Sequence, residues 1–97
     1  MEILSNEIPR ENFEAIKKAL VSAANANSKE AAASHISIAE YQRHIIRRFI
    51  TDYVDEQLTG AIEYARKAAG RVKNKDQLMG NASHFRLKFE GMINVVD

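Results

Sequence analysis

Two rows of apolar residues, equal in length, dominate the second half of this chain. Val54, Leu58, Ala61, Ala65, Ala68 and Val72 follow one another at intervals of four and three. Leu78, Ala82, Phe85, Phe89, Met92 and Val96 repeat those intervals beyond a segment holding Gly70, Asn74 and Lys75. Such spacing puts side chains on one face of an α-helix, whereas a half-buried strand needs intervals of two. Two matched stripes on either side of a turn signal predict an antiparallel helical hairpin. Its pairing sets Val72 on Leu78, Ala68 on Ala82, Ala65 on Phe85, Ala61 on Phe89, Leu58 on Met92 and Val54 on Val96. Small residues then face large ones, which lets two helices approach closely and fill the gap with rings. Asp76 is the expected cap of the last helix. The competing pattern is a strand over His84 to Glu90, where polar and apolar residues alternate. Gly91 adds to that reading by weakening a helix by about 1 kcal/mol, and Glu2-Ile3-Leu4 is then the expected partner strand.

The first half reads as helices too. Pro9 suits a first turn, Glu11 and Glu14 sit where the helix dipole favours acids, and Phe13, Ile16, Leu20 and Ala23 form a stripe, so residues 9–25 are read as the first helix. Ser28 caps a short Ala-rich helix ending near His35. Ser37 with Glu40 forms a capping box that starts a new one. From there Ile38, Tyr41, Ile45, Ile46, Phe49, Ile50, Tyr53, Val54 and Leu58 cover an apolar arc too wide for a helix with one wet side, so this is expected to be the central helix. Its stripe runs on past Gly60. A continuous helix over 38–72 would be roughly 52 Å long, about twice the roughly 26 Å width of a compact domain of this size. The helix is therefore expected either to bend at Gly60 or to protrude toward another subunit.

Composition narrows the function more than the fold. The 97 residues carry 14 Lys and Arg against 13 Asp and Glu, a formal charge of +1, with 45% hydrophobic residues. That describes one ordinary globular domain with a modest core, not a charged tail or a disordered scaffold. The absence of Cys excludes a disulfide framework, a thiol nucleophile and a cysteine zinc site. No stretch approaches the roughly 20 apolar residues of a membrane helix. The start, MEILSNEIPREN, lacks the basic-then-apolar order of a secretory signal, so a cytoplasmic location and no membrane partner are expected.

Chemistry finds little purchase. Of the three histidines, His35, His44 and His84, only His44 has a companion at helical spacing, Glu40, and two groups do not make a zinc site. There is no GxSxG elbow, HExxH pair or Gly-rich phosphate loop. No enzyme activity, cofactor or metal is expected. Tyr41, Tyr53 and Tyr64 lie along the apolar arc, and Met79 and Met92 are read as core fillers.

Positive charge gathers in two places: Arg43, His44, Arg47 and Arg48 on the central helix, and Arg66, Lys67, Arg71, Lys73 and Lys75 in a run without an acid. Residues 59–97 carry 7 bases and 4 acids. Clusters of this kind bind phosphate backbones. The segment SKEAAASHISIAEYQRHIIRRF, residues 28–49, resembles a helix-turn-helix of the LuxR regulator type. The resemblance implies Ala32 packed between two helices, a turn at Ile36-Ser37, and Gln42, Arg43 and Arg47 facing a DNA groove. It departs from that pattern by being one residue short before the turn and by carrying His35 at an apolar position.

The expectation is an all-α domain of three or four helices, closed by a C-terminal antiparallel helical hairpin. It acts as a non-enzymatic protein–protein interaction module, as an adaptor, inhibitor or accessory subunit, and as a homodimer. The central helix has more apolar surface than two companions can cover, so Ile46, Phe49 and Ile50 are the expected interface. The alternative is a small DNA- or RNA-binding regulator using Gln42, Arg43, Arg47, Arg66, Lys67, Arg71, Lys73 and Lys75.

Overall fold

Helical hairpins account for nearly all of the chain. The structure, a computed structural model, describes residues 4–97. Strand β1 (Glu7–Pro9) leads into α1 (Arg10–Asn25). After a short turn come α2 (Lys29–Ile46), a 3-10 segment (Arg47–Phe49), α3 (Asp52–Ala68), α4 (Lys75–Met92) and strand β2 (Asn94–Val96). α1 packs on α2 and α3 on α4, with α1 also lying across α3. The turns of the two hairpins meet, since the Gly70 amide donates to Ala26 O at 2.9 Å. The α2–α3 connection lies at the opposite end beside the start of α1, where the Asn6 amide donates to Phe49 O at 3.0 Å. The result is an up-and-down four-helix bundle measuring 45 × 21 × 20 Å. No helix among the described residues is long and apolar enough to cross a membrane.

The C-terminal hairpin is present, with a different register. Phe85 meets Gly60, not Ala65: a Cβ built on Gly60 would lie 2.7 Å from the Phe85 ring. The equal-stripe pairing puts the turn too late. α3 stops at Ala68, and residues 69–74 make the connection, with Gly70 at φ +85 closing the helix end as only glycine does without strain. Val72 is therefore outside α3. Asp76 lies in the first turn of α4, and Asn74 precedes the helix without a side-chain cap. Residues 84–90 are helical, so the strand reading of that segment does not hold. α4 ends at Met92, and Val96 belongs to β2, which pairs in parallel with β1, Ile8 opposite Val95. A pairing of the two chain ends exists, but with different residues from those expected; Glu2 and Ile3 lie outside the described residues.

The expected helix break at Ile36-Ser37 is absent. Ser28 does cap α2, its Oγ accepting from the Ala31 amide at 3.0 Å, and the helix then runs unbroken to Ile46. Ala-rich sequence and a buried Ile36 make continuation cheaper than a turn, so the Ser37 capping box is unused. The helix-turn-helix geometry implied by the LuxR resemblance is not formed. The expected central helix is instead two helices. The chain turns at residues 47–51, where Ile50 is extended and Thr51 caps α3 by accepting from the Val54 amide at 3.3 Å. Gly60 lies inside α3, which continues unbroken past it to Ala68; the missing side chain makes room for Phe85.

The core is built from Ile8, Ile16, Leu20, Ile46, Ile50, Val54, Leu58 and Phe89, with alanines of α1, α2 and α3 between them. At roughly 1.5–3 kcal/mol for each large side chain, their burial is the main favourable contribution to the fold.

Candidate protein-binding face

The apolar residues of α2 lie on two opposite sides. Ala32, Ile36, Ala39 and Ile46 are buried against the bundle. Ile38, Tyr41 and Ile45 are 46%, 63% and 36% exposed. At 100° per residue these three form one line pointing away from the core. Phe49, in the 3-10 segment four residues further on, is 44% exposed. Applied to full side-chain areas of roughly 200 Å² each, these exposures leave about 400 Å² of mostly apolar surface along α2 and the 3-10 segment, within the range of the largest patch on a monomer, which is often functional.

Only one of the three interface residues read from the sequence belongs here. Ile46 and Ile50 are 1% and 0% exposed and lie in the protein's own core, so they are not available to a partner. The turn at residues 47–51 reverses the chain and carries Ile50 inward. Phe49 alone stays outside, with the Arg48 guanidinium 5.4 Å from its ring centroid. Ile38, Tyr41 and Ile45 were visible in the sequence as parts of the wide arc. Their outward position follows from the length of α2, which the sequence reading cut in two.

The residues considered for nucleic acid are mostly engaged within the chain. Arg43 makes a two-pronged contact with Asp55, at 2.7 and 2.8 Å, and Arg47 adds a third at 3.3 Å. Asp55 is 7% exposed and lies in the first turn of α3, so this cluster ties α2 to α3. The hydrogen bonds to Asp55 push the Arg43 guanidinium above its ordinary value, with burial opposing them in part. Arg47 also pairs with Asp52, and Arg66 with Glu40 across the α2–α3 groove. Lys67 lies 3.9 Å from Glu63 and over the Tyr64 ring. Gln42 accepts from Asn12 Nδ2 at 2.7 Å. The Lys75 ammonium donates to Ala68 O, Gly70 O and Ala24 O at 2.6, 2.9 and 3.4 Å, and so closes the C-terminal ends of α1 and α3. Of the eight, Arg71 and Lys73 alone are exposed without an internal partner among the described residues.

Two further features complete the inventory. A groove of about 560 Å³ between α2 and α3 has Ala32, Ala33 and Ile36 on its floor, with Lys29 and Lys67 at its rim. Lys29 is held there by bonds to the carbonyls of Arg66 and Lys67, at 2.7 and 3.1 Å. At the chain ends Arg10 pairs with Asp97, and its hydrogen bond and charge hold that carboxyl below the usual range. Among the described residues no three His, Asp or Glu side chains converge as metal ligands. No protein-family model, curated protein or solved structure matches the chain.

Proposed function

We propose that this chain is a non-enzymatic protein–protein interaction module, an adaptor, inhibitor or accessory subunit, whose contact surface is the outer face of α2. One observation carries the reading: Ile38, Tyr41 and Ile45 line the side of α2 opposite the core, with Phe49 beyond them. A helix that packs on one side only places its large apolar residues inward. α2 does so with Ile36 and Ile46, beside Ala32 and Ala39, yet carries three more large apolar residues outward. The exposed part of these side chains is left uncovered by the bundle, and a partner's surface would bury it.

The test is a tagged pull-down from source-cell extract, with and without nuclease, comparing the natural chain with Tyr41→Arg. Proteins retained after nuclease and lost from the variant are the expected result. Retention that ignores the variant, or partners lost with nuclease, would refute the reading.

A further inference from the structure

We infer that the partner for the outer face of α2 is a second copy of this chain, packed helix against helix across a two-fold axis; this rests on the protein-binding reading above. The exposed residues along the face are Glu30, Ser34, Ile38, Tyr41, Ile45 and Phe49. Their intervals are four, four, three, four and four, the same in either direction. A two-fold axis between Ile38 and Tyr41 therefore sets Ile38 of one copy on Tyr41 of the other, Ser34 on Ile45, and Glu30 on Phe49 with Arg48 beside it. The small Ser34 opposite Ile45 lets the helices come close, and Ile38 fits against the Tyr41 ring. Self-complementarity of this kind is what an isologous interface requires.

Charge sets the direction. On this face the acid, Glu30, stands in the first turn of α2, while His44 and Arg48 stand at the other end. Neither Glu30 nor Arg48 has an ion-pair partner among the described residues. Antiparallel packing brings each Glu30 to the Arg48 of the other copy and opposes the helix dipoles; parallel packing would put like charges together. Size sets the strength. The apolar row supplies about 400 Å² of the roughly 800 Å² per partner that a standard interface buries, so the dimer is small, weak and dependent on concentration. Each copy keeps a complete core of its own, with Ile46 and Ile50 already covered.

Sedimentation equilibrium of the full chain from about 1 µM to about 1 mM, the span of weak complexes, tests this. The expected result is a mass that rises to twice the monomer. Tyr41→Arg should hold it at the monomer, with an unchanged circular dichroism spectrum because the site is exposed. Glu30→Arg and Arg48→Glu should each weaken the dimer about tenfold, counting two symmetric pairs, and the chain carrying both changes should recover it. A monomer at every concentration would overturn the second copy as partner. So would a dimer indifferent to Tyr41→Arg, or one whose single charge reversals are not rescued by the double. Failure here leaves the pull-down comparison standing, since heterologous partners lost on Tyr41→Arg would still support the broader reading.

Discussion

Gly60→Ala should destabilise the α3–α4 hairpin, although alanine is the better helix former. Inside a helix the exchange gains about 1 kcal/mol. Against that, the new methyl would lie 2.7, 2.9 and 3.0 Å from Cδ1, Cε1 and Cγ of Phe85. The ring has little freedom to move aside. It stacks on Tyr64 at 5.5 Å between centroids and 12° between planes, and meets the His84 ring edge-on at 5.8 Å. Displacing it forfeits much of an aromatic contact worth about 0.5–1.5 kcal/mol and adds an overpacking cost of about 1–3 kcal/mol. The steric side wins, leaving the variant about 1–2 kcal/mol less stable. In a domain of this length that lowers Tm by roughly 4–16 °C. The decisive arm begins from Phe85→Ala. Without the ring only the helix preference remains, so Gly60→Ala should then stabilise by about 1 kcal/mol. Urea unfolding followed by circular dichroism on the four chains of the cycle reads both signs. A stabilising Gly60→Ala in the presence of Phe85, or the same sign in both backgrounds, would refute the close approach of the two helices.

Four further outcomes are expected. Lys75→Met leaves the carbonyls of Ala24, Ala68 and Gly70 without their shared donor; at about 1.5–3 kcal/mol per charged hydrogen bond, discounted for partial exposure, it should cost about 2 kcal/mol in urea unfolding. Asp55→Asn turns one acceptor of the arginine cluster into a donor facing donors. It should cost about 2 kcal/mol, less than the roughly 3–5 kcal/mol of a fully buried pair because Arg43 and Arg47 are themselves half-exposed, and a melt within 1 °C of the natural chain would contradict the clamp. Ile50→Asp buries an unpaired carboxylate at a site with no exposure and should leave an unfolded chain, whereas Ile45→Asp should fold with a change of about 0.5 kcal/mol or less; near-ultraviolet dichroism separates the two. The Asp97 carboxyl should titrate below the ordinary carboxylate range in the folded chain and return toward it in Arg10→Ala, as followed by NMR. Because its folded value is depressed, whatever the pair contributes is fully present above the ordinary carboxyl range of the unfolded chain and is lost as pH falls through the folded value.

The helical hairpin was legible because its signal is redundant. Six apolar positions on each side repeat helical intervals, and one turn signal separates them, so helix type survives an error in any single residue. Its register was not legible, because register depends on where α3 stops. That point is set by contacts from afar: Lys75 on Ala68 O, and the Gly70 amide on Ala26 O. The break between α2 and α3 was missed for a related reason. Thr51 followed by Asp52 and Asp55 is a start signal with acids in the first turn. The unbroken apolar arc across it outweighed that signal, since neither Gly nor Pro marks the turn. What holds the turn is long-range: Asn6 Oδ1 on the Thr51 amide at 2.9 Å, and the two arginines on Asp55. The 3-residue strands were beyond reach, because their pairing is made by residues about 90 positions apart and by no pattern within either segment.

The misplaced turn also explains why Ile46 and Ile50 were read as surface residues. With 38–58 read as one helix, the arc has a single axis, and Ile46 and Ile50 lie near the middle of it. Once the chain folds back at residues 47–51, the arc divides. Ile46, Ile50, Val54 and Leu58 close the core between the hairpins. Ile38, Tyr41 and Ile45 stay on the outer side of α2, each partly exposed. Alanines at 32 and 39 on the inner side keep α2 close to α1, whose own inner side carries Ala19, Ala23 and Ala24. Ile36 and Ile46 supply the bulk of the inner side, so Ile38, Tyr41 and Ile45 are surplus to it. Packing of the monomer alone gives little reason for large apolar side chains at those three positions, because the buried residues of α2 are Ala32, Ile36, Ala39 and Ile46. A second surface to cover them does give one, and that is the physical ground for reading α2 as a helix shared between two bodies.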